Sequence, residues 1–176
     1  MPDPFVVEII EVCLKKCSQL NDFLNDSVKA ILINACRYGS EQRVAAAILH
    51  CLPSCRQAGS RAMAATCTAL LFQRLGSGNA CKLKELAQLL QLLLNLAAEA
   101  SPDVRTAARV ALAIVSSFAD GPALRRAGVS SDVIHKVEAV AGRTTERDWV
   151  EVARGLGSAA EKEKLLHVPQ RSSSLR

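Results

Sequence analysis

The sequence predicts an all-α fold of stacked antiparallel helix pairs, and three observations carry that prediction. The chain is 49% hydrophobic but only 3% aromatic, and a core of Ala and Leu with so few rings suits close-packed helices better than a sandwich or barrel. Apolar residues recur at alternating spacings of three and four, the signature of one stripe on a helix. No alternating run of β-branched residues and no Asn-Gly hairpin signal occurs. At 176 residues the chain is long enough for one ordinary domain with a substantial core.

Residues 5–20 read as the first helix, with Phe5, Ile9, Cys13 and Cys17 down one side. Lys15 and Lys16 fall near its C-terminal end, where the helix dipole favours cations. Asn21 or Asp22 can cap the second helix, in which Val28, Ile31, Leu32, Ala35 and Cys36 make the stripe. Gly39 stands where a left-handed C-cap ends a helix at least steric cost. Ser40 opens a third, striped by Val44, Ala47, Ile48, Cys51 and Leu52 and closed by Pro53. Gly59 and Ser60 precede a fourth over 61–75, stopped by Gly76-Ser77-Gly78. The fifth, near 82–98, is apolar almost all round and is expected to be the most buried.

The sixth helix has the fullest set of start signals. Ser101 is a natural N-cap, Pro102 fits the first helical position, and Asp103 lies in the first turn. Val104, Ala108, Ala111, Val115 and Phe118 then draw one stripe, and the helix stops near Asp120-Gly121-Pro122. A short helical turn over 122–127 leads to 131–141, where Val133, Val137, Val140 and Ala141 share a face. Residues 145–156 follow, with Trp149, Val152, Ala153 and Leu156 aligned. From Gly157 the chain is polar and serine-rich. The expected organisation is therefore a folded unit over 1–156 and a disordered polar tail over 157–176.

Charge and cysteine content narrow the function. The net charge of +5 is mildly basic and favours an acidic partner surface. Nucleic acid is disfavoured as a partner, because the basic residues are scattered and stacking rings are nearly absent. Seven cysteines is an odd number, and nearly all fall on apolar helix faces, so free buried thiols in a reducing compartment are the economical reading. Met1-Pro2-Asp3-Pro4 lacks the basic start of a signal peptide, and the longest nearly uncharged run, 86–98, is too short for a bilayer. No membrane partner is expected, and the protein is expected to be soluble and intracellular.

A repeat underlies the pattern. Aligning the fourth and sixth helices brings Arg61 over Arg105, 44 positions apart, with Ala-rich segments after both, and Val28-Lys29-Ala30 begins a similar period. Periods of about 40 to 47 residues, each a helix pair, mark HEAT and armadillo solenoids, whose stacked pairs share one core. The step from Pro102 through Arg109, Pro-Asp-Val-Arg-Thr-Ala-Ala-Arg, resembles the start of the second helix of a HEAT repeat. The wider order of 23–30, 43–49, Arg61 onward and 101–115 resembles the later half of a TOG domain, with the flavour of the CLASP and crescerin groups of microtubule regulators. The resemblance covers about residues 20–118. A complete TOG domain is longer and carries a tryptophan in an early tubulin-contacting loop; here Trp149 lies elsewhere, so a fragment, an isoform or a divergent relative is expected.

The resemblance implies a non-catalytic protein-binding module whose favoured partner is tubulin or the microtubule, in the cytoplasm at the cytoskeleton, with cilium or centrosome as settings. An adaptor of the same architecture that binds another protein is the alternative. Paddles of this kind bind along the edge made by the turns within each repeat, which places Arg56, Arg61 and Arg105 as partner-binding candidates. Arg61 and Arg105 are equally placed to hold neighbouring turns in register, the favoured role for those two, whereas Arg56 sits in the loop itself.

Neither a cofactor nor a metal is expected. The pairs Cys13/Cys17 and Cys51/Cys55 lack the Cys-x-x-Cys knuckle of a structural zinc site. Enzymatic function is not expected either: His135 and His167 lack a neighbouring nucleophile with an orienting acid, and no phosphate-binding loop or hydrolase motif occurs. Ser172, Ser173 and Ser174, behind Arg171, are candidate phosphorylation sites where phosphate would reverse the local charge. An ordinary solvated tail is the favoured reading of that segment.

Overall fold

Helix formation follows the apolar periods along the chain. In the computed structural model, which describes residues 4–17 and 22–156, the helices are α1 (Pro4–Lys16), α2 (Asp22–Tyr38), α3 (Glu41–Cys51), α4 (Ala58–Ala80), α5 (Leu86–Ala97), α6 (Pro102–Phe118), α7 (Gly121–Arg126), α8 (Ser131–Ala141) and α9 (Glu146–Gly155). A 3-10 turn, Leu52–Ser54, links α3 to α4. Among the described residues there is no strand, and no helix is long and apolar enough to cross a membrane. The expected tail over 157–176 lies outside the described residues.

The helices stand in two files. α1, α3, α5 and α8 touch in succession, as do α2, α4, α6 and α9. Contacts of α1 with α2, α3 with α4 and α5 with α6 stitch the files together, and α7 leans on α8. The most extensive contact is between α4 and α6. Their buried faces are rich in alanine (Ala64, Ala65 and Ala69 on one, Ala107, Ala108 and Ala111 on the other), which lets two backbones approach closely. Phe72, Leu71, Leu112 and Ile114 fill the remaining space and are fully buried.

The centre of the core is thus α4 with α6. The fifth helix, expected to be the most buried, keeps Gln88, Gln91 and Asn95 on an exposed strip. Stripes on α3 and α9 fall where their spacing predicts: Val44, Ala47, Ile48, Cys51 and Leu52 are buried, as are Trp149, Val152, Ala153 and Leu156. On α6 the stripe is buried from Val104 to Val115, with Phe118 half-buried against the core. On α8 the buried pair is Ile134 and Val137, with Val133 and Val140 at the margin.

On α1 the expected stripe is turned: Val6, Ile10, Cys13, Leu14 and Cys17 are buried, whereas Phe5 is exposed. On α2, Leu32, Ile33 and Cys36 are buried and Ile31 is exposed.

Local signals also resolve. Ser101 occupies the N-cap of α6 without a side-chain cap bond, while Asp120, Ser130 and Thr145 do accept cap bonds, Thr145 in a reciprocal pair with Asp148. Gly39 does not adopt the left-handed conformation; positive φ occurs at Gly76 and Gly128 among the described residues. Its glycine requirement is steric, because a Cβ there would lie 2.6 Å from the Ala35 carbonyl oxygen and 2.9 Å from Val44 Cγ2. Gly76, at φ 61 and ψ −168, breaks the axis of α4 where a helix stop is expected, and a last turn runs on to Ala80.

Polar bonds fix the connections. Ser60 Oγ donates to the Cys17 carbonyl at 2.7 Å, tying the start of α4 to the end of α1. Arg74 Nη2 donates to the Gly39 carbonyl at 3.0 Å, and Gln42 Nε2 donates to the Lys82 carbonyl at 3.2 Å. The Arg74 and Gln42 bonds lie on one edge, and the Ser60 bond lies on the other, with the turns that open α4 and α6.

Candidate functional site

That edge is built from residues 52–57 and 98–101, which deliver the chain into α4 and α6. Arg61 and Arg105 are each the fourth residue of their helix, so both guanidinium groups reach back over their own turn. Arg61 Nη1 donates to the carbonyls of Cys55 at 3.2 Å and Arg56 at 2.7 Å, six and five residues earlier. Arg105 Nη1 donates to the carbonyls of Glu99, at 2.8 Å, and Ala100, again six and five residues earlier. The same clasp is therefore made twice, one helix pair apart.

A second bond links the two turns. Arg61 Nε donates to both carboxylate oxygens of Glu99 at 2.9 Å, and its Nη2 lies 2.9 Å from Oε2. Glu99 thus offers its carboxylate to one arginine and its carbonyl to the next. The two side chains are 24% and 25% exposed, so the pair is partly shielded from water. Of the three arginines expected at this edge, Arg61 and Arg105 bond to the turns. Arg56 is exposed, and its main chain is pinned by Arg61.

Beside the edge lies an open groove of about 360 Å³. Its walls come from every helix of one file: Asn25 and Lys29 from α2, Ala62, Met63 and Thr66 from α4, Asp103, Thr106 and Ala107 from α6, and Glu151 and Val152 from α9. Ala62, Met63, Ala107 and Val152 give it an apolar lining, while Lys29, Asp103 and Glu151 set charges of both signs around it. Thr106 Oγ1 and Asp148 Oδ1, 3.5 Å apart, join α6 to α9 nearby. The groove is open to solvent along its length.

Burial acts on several of the thiols. Six of the seven cysteines are buried, and none is disulfide-bonded. Burial pushes the Cys51 thiol up to about 11 and raises Cys13, Cys55 and Cys81. The hydrogen bond with Cys36, followed by complete burial, holds Cys67 well above the ordinary thiol value. Protonated thiols are poor nucleophiles and poor metal ligands, and the described residues hold no group of three or more His, Cys, Asp or Glu able to share a metal ion. His135 is exposed, 3.9 Å from Glu138 Oε2 one turn along α8. His167, Ser172, Ser173 and Ser174 lie outside the described residues.

Sequence reasoning misses two parts of this surface. Glu99 carries a signal, an acid in the turn ahead of Ser101 between two equivalent arginines, but its partner depends on how the turns stack. The groove carries none, because its lining residues come from four helices and belong to different periods. Comparisons with protein families, with curated proteins and with solved structures return no match to this chain.

Proposed function

We propose that the chain is a non-catalytic protein-binding module of the HEAT/armadillo solenoid type, with tubulin or the microtubule as its favoured partner. The observation that carries the architecture is the repeated arginine clasp: Arg61 and Arg105, 44 residues apart, make the same bonds at the same helical position. The two files of helices support it, since stacked pairs sharing one core produce that arrangement. The groove crosses successive pairs, and a surface spread over repeats suits a macromolecular partner. Tubulin is favoured by the TOG-like order of segments, by the net charge of +5, and by exposed Arg56 on the turn edge. The implied setting is the cytoplasmic cytoskeleton, including cilium or centrosome.

Co-sedimentation with polymerised microtubules at low and physiological salt tests this reading. Pelleting is expected at low salt, weakened by salt and by Arg56→Glu; no pelleting at low salt rejects tubulin as the partner. One observation favours the second reading, an adaptor for another protein. Asp103 and Glu151 outnumber Lys29 among the charged groove residues, so a segment bearing apolar and basic side chains fits the groove better than an acidic surface does. That adaptor would retain a partner in pulldown while ignoring tubulin, and would lose it on Glu151→Lys.

A further inference from the structure

The exposed large hydrophobic residues are not scattered. Among the described residues they are Phe5, Val12, Leu24, Ile31 and Tyr38, 44% to 76% exposed, and all belong to α1 and α2. On α2, Leu24, Ile31 and Tyr38 are spaced by sevens, with half-buried Val28 and Ala35 between them, giving a four-three repeat along one side. On α1, Phe5, Ile9 and Val12 follow the same spacing, and Lys16 continues it. Such a seam is what a helix presents to another helix packed nearly parallel or antiparallel to it. Among the described residues α1 and α2 have extensive contacts only with each other, α3 and α4, and the helices from α5 to α9 do not pack on the seam. A contiguous apolar face of this kind marks an interaction surface.

Charge identifies the occupant. Glu8 and Lys16 are both exposed and stand four residues either side of Val12, Glu8 beside the α1 seam and Lys16 at its end. A two-fold axis through Val12 that sets α1 antiparallel to its copy brings each Glu8 opposite the Lys16 of the other molecule. The face is then complementary to itself in shape class and in sign, as an isologous interface requires. Glu11 and Lys15, already paired at 2.6 Å within the helix, add no unmatched charge. We infer that the α1–α2 face is the interface of a homodimer, with Val12 at the axis and Glu8 facing Lys16 of the second copy. This interface is separate from the groove and does not depend on what the groove binds.

Sedimentation velocity of the full chain over about 1 to 200 μM tests the inference. A dimer is expected, reduced to monomer by Val12→Glu and by Ile31→Glu, with far-UV circular dichroism unchanged because both positions are exposed. Glu8→Lys alone and Lys16→Glu alone should each weaken dimerisation about tenfold. The double swap, which restores opposite signs across the axis, should return it to within about threefold of the parent. A monomer throughout the range overturns the inference. A dimer indifferent to Val12→Glu and Ile31→Glu places the interface elsewhere, and a double swap no better than the singles refutes the antiparallel register.

Discussion

The two arginine clasps differ in one respect, and the difference can be measured. Arg61 and Arg105 make the same pair of bonds to turn carbonyls, but only Arg61 also holds the Glu99 carboxylate, through contacts of 2.9 Å. Replacing Arg105 with Met removes the carbonyl bonds while keeping a similar apolar stem, and is expected to cost about 1–2 kcal/mol for charge-assisted bonds that are partly solvated. Arg61→Met loses the equivalent bonds and the carboxylate. Exposed ion pairs contribute about 0.2–1 kcal/mol, and breaking a buried one costs about 3–5 kcal/mol. At 24% and 25% exposure the Arg61–Glu99 pair falls between, near 1.5 kcal/mol after discounting for solvent screening. Arg61→Met should therefore destabilise by about 2.5–3.5 kcal/mol, and a double-mutant cycle with Glu99→Gln should show coupling of about 1.5 kcal/mol. Equilibrium urea unfolding gives these values, followed by ellipticity and by the fluorescence of Trp149, the single tryptophan, which is buried. Equal losses for the two arginine variants, within about 0.3 kcal/mol, would refute the inter-turn role of Glu99.

Other residues give independent tests. Gly39→Ala should cost about 1–3 kcal/mol in urea unfolding, because its new Cβ meets the Ala35 carbonyl and Val44; Gly128→Ala, with open space but φ 83, should cost about 1–2 kcal/mol from the backbone alone. Phe72→Ala should remove about 3–5 kcal/mol, since the ring, carried by α4, is fully buried, and a loss under about 1 kcal/mol would show that the core is loosely packed there. Stability should be insensitive to the thiols below pH 9.0 and fall from there towards about 11, the raised value of Cys51, because the unfolded thiols ionise first and draw the equilibrium to the unfolded state. Urea midpoints at mildly and strongly alkaline pH check the sign, with a Cys51→Ala variant showing a shallower decline.

How legible each element was in the sequence depended on how many apolar faces its helix has. α3 and α9 each carry one stripe, and spacing alone identifies most of what is buried there, from Val44 to Leu52 on α3. On α6 the stripe is buried from Val104 to Val115, but Ala107, Val110, Leu112 and Ile114 beside it are buried too, because α4, α5, α8 and α9 all pack on that helix. The equivalence of Arg61 and Arg105 was legible, and their bonds to the turns follow from early helical positions that let a long side chain reach back over the turn. Caps were less legible. Ser101 and Thr145 both stand at N-caps, yet only Thr145 engages its hydroxyl, through the reciprocal bond with Asp148, so the residue type sets the possibility and its helical partner completes it. The groove was not legible, because a surface shared by α2, α4, α6 and α9 exists only once the files are assembled.

The α1 stripe failed for a more informative reason. Phe5, Val6, Val7, Ile9, Ile10, Val12, Cys13 and Leu14 are all apolar, so the helix carries two stripes, and periodicity has no means of ranking them. Packing against α3 and α4 selects Val6, Ile10, Cys13 and Leu14, and the other stripe is left outward with Phe5 and Val12 exposed. A helix packed on one side needs one apolar face, and its other side is ordinarily polar. Two faces imply two partners, of which the described residues supply one. The ambiguity in reading α1 and the exposed seam on it are thus the same property, and the charge-swap experiment on Glu8 and Lys16 decides whether a second copy of the chain resolves both.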